Sequence, residues 1–457
     1  MKRWKSFLVT LLAMIFAIVM FGACSQKVPE SSDTANSKSN TPNKIETSSE
    51  SKNITMRISW WGADVRHKAT LEAIDTYMAK NAGVKIEAEY QGFDGYQQKM
   101  MTQLAGGTAP DLVQIDNVWL MELSTQQKVL FDDLNNFSDI IDTSIFDEEY
   151  ISGYCSYDGH LLGIPLGTNG SGLMTNKEFM ERFNIPLDTQ FTWDSIIEIG
   201  SRVHAEDPNC YLMGIDPSSE SIVPLFWEPY LKGLTGKYWI DDSGYDIDVT
   251  KEDIVQALTM IKKLYDSGAV VPMGETVGFE AKMEQLPKWV NGNIGGLMDW
   301  SSRVSPMKAA VGEDKFTTMN VPVVANGKVT GFPTKPSLLL AISNDSKYKE
   351  EAAKFINWVV STEEAALILK DTRSIPTSNV SRDVLMKNKI GDPDVLDMVN
   401  RTLENPLPAP PYSGRNAEIV VIVSEVMNKV VYAQLTPEQG AEELTARVTA
   451  KLDTMKK

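Results

Sequence analysis

Residues 54–115 read ITMRISWWGADVRHKATLEAIDTYMAKNAGVKIEAEYQGFDGYQQKMMTQLAGGTAPDLVQI, and this stretch decides the fold. Residues 54–60 alternate apolar and polar side chains, which predicts a strand, and apolar residues at helical spacing over 71–78 predict a helix after it. The pair is repeated over residues 84–104, and a third strand is expected at 111–115. A β-α-β-α-β unit of this kind belongs to the α/β class, in which ligands bind at the carboxyl ends of the strands.

The size and composition of the whole chain limit what this unit can belong to. The chain has 457 residues, of which 42% are hydrophobic, so we expect at least two packed lobes and not one small domain. Its formal charge of −17 makes nucleic acid an unfavourable partner, because phosphate backbones carry the same sign. The 3 cysteines show no spacing typical of a zinc or redox site, so neither a metal nor a cofactor is expected.

The N-terminus has the pattern of a secretory signal. Three basic residues among the first five precede an apolar run over 7–21, which is shorter than the roughly 20 residues that span a bilayer. The run ends in FGAC at 21–24, which resembles a bacterial lipobox, with small residues for the peptidase and a thiol for the lipid. We therefore expect residues 1–23 to be a lipoprotein signal peptide and Cys24 to be the lipidation site. An ordinary cleavage site or an uncleaved anchor is the alternative.

Residues 24–53 separate this anchor from the folded part of the chain. After Cys24 they are rich in Ser, Asn, Lys, Glu and Thr and contain no Leu, Phe, Tyr or Trp. Such a segment cannot bury enough apolar surface to offset its chain entropy, so we expect a flexible tether. The protein would then lie outside the cytoplasm, attached to the cell membrane through the lipid on Cys24.

The rest of the chain continues the alternation of strands and helices. A predicted strand at 161–166 runs into the glycine-rich segment 167–172, which suits a crossing between two lobes. Helices with an apolar face are expected at residues 192–204, 250–266 and 349–360. Two further helix starts are indicated by the capping-box spacing in Ser361-Thr-Glu-Glu364 and Thr436-Pro-Glu-Gln439.

Six short segments occur in an order that points to one protein family. They are LAGGTAPDL at 104–112, GHLLGIP at 159–165, LMTNK at 173–177, FTWD at 191–194, NGNIGG at 291–296 and EAAKFINW at 351–358. In this order they resemble the family 1 extracellular solute-binding proteins of bacterial ABC sugar importers, which include the maltose-binding proteins. The likeness runs from about residue 54 to the C-terminus. It implies an α/β, two-lobed periplasmic-binding-protein-like (type II) fold with hinge crossings between the lobes.

The same resemblance implies lobe boundaries and a function. Hinge crossings would fall near residues 165–168, 320–323 and 371–376. The N-terminal lobe would comprise residues 54–165 plus 323–372, and the C-terminal lobe 166–322 plus 373–457. Members of this family capture a sugar or oligosaccharide between the lobes and deliver it to the permease subunits of the transporter. We expect a monomer that binds its ligand and catalyses no reaction.

The chemistry of sugars indicates which residues would line such a cleft. Pyranose rings pack their C–H faces on aromatic rings, and their hydroxyls pair with carboxylates, amides and guanidinium groups. Loops after predicted strands supply these residue types at Trp61, Asp64, Arg66, Asp116, Asn117, Trp119, Asp299, Trp300 and Arg303. Positions at which the family places ligand contacts add Asn169, Asp216, Trp227, Tyr412 and Arg415.

Several alternatives stay open at this point. One of the adjacent Trp60 and Trp61 must point into the core, and we assign Trp61 to the cleft. Cys155 and Cys210 either form a disulfide outside the cell or remain buried thiols. The arginines near the cleft loops make an acidic sugar worth testing against a neutral one. A peptide, a polyamine or an opine would suit the same fold, and an exported carbohydrate-active enzyme is a further alternative, although no catalytic motif is present.

The lipidation hypothesis predicts the result of one substitution. Cys24→Ser should release the protein from the membrane, or leave its precursor unprocessed, because no thiol remains to receive the lipid. The folded part should keep its melting temperature. Membrane fractionation and intact-mass measurement test this. An unchanged mature mass together with unchanged membrane attachment would show that Cys24 is not the anchor.

Overall fold

The computed structural model describes residues 53–62, 64–93, 95–124, 129–280, 282–329 and 331–456. The predicted signal peptide, Cys24 and the tether up to residue 52 lie outside these ranges. Within them, the structure contains no helix that combines the length and the apolar character required to cross a bilayer. Residues 53–456 belong to one compact unit.

The strands of this unit form one mixed sheet and one small hairpin. The strands are β1 (Ile54–Trp61), β2 (Val84–Gln91), β3 (Leu112–Ile115), β4 (Ser156–Tyr157), β5 (His160–Leu161), β6 (Ile164–Asn176), β7 (Tyr211–Ile215), β8 (Ile294–Trp300), β9 (Phe316–Met319) and β10 (Thr334–Ile342). The order in the 8-stranded sheet is β2-β1-β3-β10-β6-β8-β7, with β9 also paired to β6, and β4 with β5 forms the hairpin. β1 runs parallel to β2 and β3, as a β-α-β-α-β unit requires.

Eighteen α-helices surround the sheet in the described ranges. The helices are α1 (Asp64–Lys80), α2 (Tyr96–Ala105), α3 (Leu120–Ser124), α4 (Glu148–Cys155), α5 (Lys177–Arg182), α6 (Trp193–Glu206), α7 (Ser219–Ile222), α8 (Glu228–Thr235), α9 (Lys251–Asp266), α10 (Met273–Thr276), α11 (Pro287–Val290), α12 (Val304–Val311), α13 (Lys349–Ser361), α14 (Glu363–Leu369), α15 (Asn379–Asn388), α16 (Pro393–Glu404), α17 (Ala417–Val431) and α18 (Pro437–Met455). A π-helical turn (Val223–Trp227) joins α7 to α8.

Two large hydrophobic cores define two lobes. Buried residues between 56 and 164 and between 338 and 360 form the first core. Buried residues between 173 and 332 and between 419 and 452 form the second. β6 belongs to both lobes, because its first half pairs with β10 and its second half pairs with β8 and β9. The chain therefore has the two-lobed α/β architecture that the sequence predicts.

The lobe boundaries remain a proposal, and the packing favours later positions for two of the crossings. Val321 and Phe332 both pack in the second core, so the chain returns to the first lobe after residue 332 and not near 320–323. The Ser381 hydroxyl in α15 donates a hydrogen bond of 3.1 Å to the carbonyl of Val360 in α13. Residues 379–388 therefore pack with the first lobe, beyond the crossing expected at 371–376.

Most predicted helix starts are confirmed, and one is wrong. Thr436 forms the predicted capping box with Gln439 at the start of α18. At the start of α14 the N-cap is Thr362, whose hydroxyl accepts from the amide of Ala365, and not Ser361. The Ser361 hydroxyl instead donates to the carbonyl of Asn357, because the preceding helix extends through residue 361. Both described cysteines, Cys155 and Cys210, are buried free thiols.

The glycine-rich segment 167–172 lies inside strand β6 and not in a loop. A Cβ atom on Gly167 would lie 1.9 Å from the carbonyl oxygen of Arg373 and 2.7 Å from the Ser337 hydroxyl. The amide of Thr168 donates to the carbonyl of Ile375 at 2.7 Å. The absence of a side chain at residue 167 therefore lets the segment around Arg373 pack directly against β6 where the two lobes meet.

This close approach predicts the effect of adding a methyl group. Gly167→Ala should lower the free energy of unfolding by about 1–3 kcal/mol, because backbone must move to admit the Cβ atom. Gly92→Ala is the matched control, since a Cβ there would have no neighbour within 4 Å. Urea denaturation of both variants measures the difference. Equal stability of the two variants would contradict the observed packing of Gly167.

Candidate functional site

A cavity of about 280 Å³ lies at the carboxyl ends of β3 and β8. This size is close to the lower end of the range of about 300–1,000 Å³ typical of small-molecule sites. Its walls come from both lobes and from the chain before α17. The lining residues are Phe93, Asp116, Asn117, Val118, Trp119, Tyr154, Ser219, Glu220, Pro224, Glu228, Pro229, Tyr238, Trp300, Pro333, Thr334, Lys335, Leu407, Pro410, Arg415, Ala417 and Val420.

The loop after β3 supplies a polar wall. Asp116 caps the short 3-10 turn that follows, and its carboxylate accepts a hydrogen bond of 3.1 Å from the amide of Val118. The side-chain amide of Asn117 donates to Asp116 at 3.1 Å and accepts from Arg415 at 2.9 Å in the orientation that satisfies both of its ends. Burial raises the pKa of Asp116, whereas the nearby Lys335 lowers it. The carboxylate is therefore held in place at the edge of the cavity.

Aromatic rings on the first lobe form a layered wall. The rings of Phe93 and Trp119, which both line the cavity, lie 6.3 Å apart at an interplanar angle of 27°. Trp61 packs behind them, with its ring 5.7 Å from that of Phe93 and 5.5 Å from that of Trp119. Phe93 is 57% exposed, so its ring is available to a ligand.

The adjacent tryptophans of β1 have different surroundings. The ring of Trp60 is buried and stacks on Tyr90 at 5.0 Å, and its Nε1 donates to His67 at 3.0 Å. Trp61 lies on the opposite face of the strand, toward the cavity wall, but it is not among the residues that line the cavity. Its assignment as a direct ligand contact therefore remains a prediction, and the geometry places it one layer behind Phe93 and Trp119.

The opposite wall is built around Trp300, at the end of β8. Its ring lines the cavity, and Lys335 Nζ lies 4.4 Å from the ring centroid. The buried carboxylate of Asp299 accepts from the amide of Trp300 at 2.7 Å, and burial raises the pKa of Asp299 to about 7. Arg303 forms ion pairs with Glu284 and, at 3.8 Å, with Asp299. Neither Asp299 nor Arg303 lines the cavity.

Glu228 brings a buried carboxyl, and Arg415 a guanidinium, to the interior of the site. The guanidinium of Arg415 lies 4.3 Å from the ring centroid of Tyr412 and 5.2 Å from that of Tyr154. Glu228 is buried, and this burial raises the pKa of its carboxyl to about 8 even though Arg415 acts in the opposite direction. At neutral pH the Glu228 carboxyl is therefore largely protonated and is able both to donate and to accept hydrogen bonds.

The structure brings five of the fourteen predicted ligand contacts to this cavity: Asp116, Asn117, Trp119, Trp300 and Arg415. Besides Trp61, Asp299 and Arg303, the remaining predicted residues that do not line it are Asp64, Arg66, Asn169, Asp216, Trp227 and Tyr412. Trp227 is completely buried in the second core, 5.7 Å from the ring of Trp239. Trp227 ends the apolar run at residues 222–227 and packs with that run in the second core, away from the cavity.

The other residues outside the lining have local structural roles. Asp64 is exposed at the start of α1, and Arg66 donates to the carbonyls of Thr372 and Trp61 at 3.0 and 3.1 Å. Asp216 accepts from the amide of Ser218 at 2.9 Å, and the hydroxyl of Tyr412 donates to the carbonyl of Ser156. Asn169 is buried in β6, with its side-chain oxygen unpaired.

Sequence reasoning missed Phe93, Glu228 and Lys335 among the lining residues. A usable signal existed for Glu228, since it is the one charged residue in the apolar run IVPLFWEPYL at 222–231. Phe93 follows β2 in a loop that the strand-end rule already marks. Among the residues that the structure places, no group of His, Cys, Asp or Glu has an arrangement that would hold a metal ion.

Comparisons with known proteins agree with the two-lobed fold. A family model described as bacterial extracellular solute-binding protein matches residues 72–393. An arabinooligosaccharide-binding protein of Halalkalibacterium halodurans is 25% identical over 217 residues, which is 47% of this chain and 46% of that protein. A periplasmic solute binding protein of Pectobacterium atrosepticum has 25% identity and a TM-score of 0.78, over 88% of this chain and 99% of that one. An oligogalacturonide binding protein of Yersinia enterocolitica, solved with digalacturonic acid, has 22% identity and a TM-score of 0.73, over 88% and 100%.

The raised pKa of Glu228 predicts a pH dependence of stability. In the unfolded chain its carboxyl titrates near the ordinary value of 4.5, so the folded state retains the proton more strongly up to about pH 8. The contribution of the protonated Glu228 carboxyl to the free energy of unfolding is therefore fully present below pH 4.5. It is lost as the pH rises toward 8. Glu228→Gln should remove this loss. Between pH 5 and 8 the free energy of unfolding of the variant should therefore decrease by about 1 kcal/mol or more less than that of the unchanged protein.

The matched control for this experiment is Glu220→Gln, an exposed carboxyl that lines the same cavity. Urea denaturation at pH 5, 6.5 and 8 should give this control the same pH dependence as the unchanged protein. A Glu228→Gln variant with that same pH dependence would show that the Glu228 carboxyl is not held in its neutral form.

Proposed function

The chain belongs to the bacterial extracellular solute-binding proteins, and from this membership we propose that it captures a sugar or oligosaccharide between its two lobes and delivers it to the permease of an ABC importer. The observation that carries the proposal is the cavity with aromatic rings from both lobes and a polar rim. Phe93 and Trp119 on one side and Trp300 on the other offer ring faces to pyranose C–H groups. Asp116 and Arg415 offer partners for hydroxyls.

Two lobes around one cavity favour capture by closure. Ligand contacts from both lobes exist together only when the lobes are closed, so a ligand shifts the population toward that state. β6 and the segments near 332–336 and 389–392 are the proposed crossings about which the lobes turn. The receptor acts as a monomer attached to the outer face of the membrane through Cys24, which keeps it close to its permease. Binding without catalysis is the role proposed for the site.

The charges in the cavity favour a neutral sugar over an acidic one. Of the three arginines that suggested an acidic ligand, only Arg415 lines the cavity. Arg303 is paired with Glu284 and Asp299, and Arg66 donates to backbone carbonyls away from the cavity. Among the described lining residues, the carboxyl groups of Asp116 and Glu220 already match the two cations, Lys335 and Arg415, in number, because Glu228 keeps its proton at neutral pH. A ligand carboxylate would therefore have no unmatched cation to pair with.

The carboxyl groups and rings of the cavity favour one competing ligand class. A polyamine or another cationic solute would pair with Asp116 and Glu220, and aromatic rings also attract cations. Its ammonium groups, however, would have to approach Lys335 and Arg415. Neutral hydroxyls avoid that repulsion and pair with both signs of charge, which is why a neutral sugar is the preferred ligand.

A thermal-shift screen of the purified chain without its leader tests the proposal. The panel comprises neutral oligosaccharides, uronate-bearing oligosaccharides, amino sugars and polyamines, because a ligand that binds only the folded state raises its melting temperature. A response to neutral oligosaccharides is expected. A response to polyamines alone would assign the site to cationic solutes, and conversion of a responding sugar into products would assign it to an enzyme.

The aromatic walls predict which substitutions weaken binding. Phe93→Ala and Trp300→Ala should each lower the affinity for the responding sugar by at least about tenfold, because each removes a ring face from the cavity. Phe93→Ala should leave the melting temperature of the free protein nearly unchanged, since the ring is 57% exposed. Calorimetric titration beside melting curves measures both quantities.

Tyr432→Ala is the matched control, because Tyr432 is an exposed ring, 49% exposed, that does not line the cavity. It should retain full affinity. Unchanged affinity in both Phe93→Ala and Trp300→Ala would mean that the sugar binds elsewhere.

A further inference from the structure

Two arginines lie close together where the lobes meet, Arg373 buried and Arg66 half-buried. Arg373 lies in the segment that packs against β6 and is 6% exposed, and Arg66 lies in the first turn of α1. Thr70 links them: its hydroxyl donates to the carbonyl of Arg66 at 2.7 Å and accepts from Arg373 Nη2 at 2.6 Å. This arrangement lies outside the cavity at the carboxyl ends of β3 and β8, whose lining includes none of the three residues.

Neither guanidinium has an anionic partner among the described residues. Arg66 donates only to backbone carbonyls, and burial lowers its pKa to about 10. Nε and Nη1 of Arg373 are buried without any hydrogen-bond partner. Burial, together with a smaller contribution from repulsion by Arg66, lowers the pKa of Arg373 to about 9. Buried cations are almost always paired, because desolvation of an isolated charge is costly.

A small cavity adjoins Arg373. It has a volume of about 20 Å³, and its polar lining consists of Arg373, Lys370 and the hydroxyl-bearing Thr372, Ser378 and Ser381, beside apolar residues such as Val359 and Leu369. A volume of about 10–15 Å³ is enough for one water-sized sphere, so the cavity accepts a water or a monatomic ion but neither phosphate nor a carboxylic acid. The Ser378 hydroxyl accepts from the amide of Ser381, which leaves its own hydrogen available as a donor.

We propose that one chloride ion binds in this cavity, held by the guanidinium of Arg373 and the hydroxyl of Ser378. The ion supplies the anionic partner that the two arginines lack. It also accepts hydrogen bonds from the unpaired N–H groups of Arg373. It also fixes a crossing between the lobes, because the carbonyl of Arg373 accepts from the Ser337 hydroxyl and packs against Gly167 of β6. Chloride is thus a structural ligand of the hinge, separate from the transported solute.

Halide dependence of stability tests this proposal. The melting temperature of the chain without its leader should rise saturably, by about 3 °C or more, when sodium methanesulfonate is replaced by sodium chloride at constant ionic strength. Arg373→Gln should abolish the rise, and in methanesulfonate it should melt no lower than the unchanged protein, because it removes an unpaired buried charge. Arg182→Gln is the control, since Arg182 is exposed and paired with Asp207 at 2.7 Å on the surface; it should retain the rise.

Bromide-soaked crystals of the unchanged protein give a second readout that does not depend on the folding of a variant. An anomalous peak within hydrogen-bond distance of Nε or Nη1 of Arg373 is expected. No peak, together with a melting temperature that does not respond to chloride, would overturn the proposal and leave a water in the cavity. A chloride response of the same size in Arg373→Gln would also overturn it, because the effect would then arise from salt at other places.

Discussion

The hydrogen bonding of one strand, β6, to two different sets of partners is the constraint on which the rest of the structure depends. Its first half completes the sheet of the first lobe by pairing with β10, and its second half pairs with β8 and β9 in the second lobe. Both lobes are therefore anchored to one extended segment of 13 residues. The loop after β3 and the end of β8 consequently lie on opposite sides of one cavity, although Asn117 and Trp300 are 183 residues apart in the chain.

Burial decides the electrostatics of that cavity. Its carboxyl groups are close to rings and backbone, so the pKa values of Asp116 and Glu228 are raised, and the neighbouring Arg415 offsets the effect only in part. A site with a protonated Glu228 carboxyl, one guanidinium, one ammonium group and ring faces suits a ligand rich in hydroxyls. Arg373 and Arg66 near β6 show the opposite case, in which two positive charges lie close together without a carboxylate partner in the described part of the chain.

Much of the fold could be predicted from the sequence, because the strand and helix patterns of residues 54–115 are strongly periodic and several later helices, such as α6, α9 and α18, begin with a capping box. The helix after residue 361 shows the limit of such signals: Ser361 has the right spacing, but α13 extends through it, so Thr362 becomes the cap. The residues after strand ends were also predictable as a class, and Asp116, Asn117, Trp119 and Trp300 do line the cavity.

Individual side-chain directions were less predictable, because they depend on tertiary packing. Trp61 and Trp227 have the right chemistry for a sugar site, but one packs behind Phe93 and the other fills the second core. Lys335 lies on β10, far along the chain from the loops it meets, and only the pairing of β10 with β6 brings it over Trp300. Sequence spacing carries no information about such long-range contacts.

A crystal structure of the chain with a responding oligosaccharide tests the central claim most directly. We predict a closed pair of lobes with a sugar ring against Trp300 and hydroxyls within hydrogen-bond distance of Asp116 or Arg415, so that both lobes contact one ligand. A ligand bound to one lobe only, or outside the cavity between β3 and β8, would contradict the account.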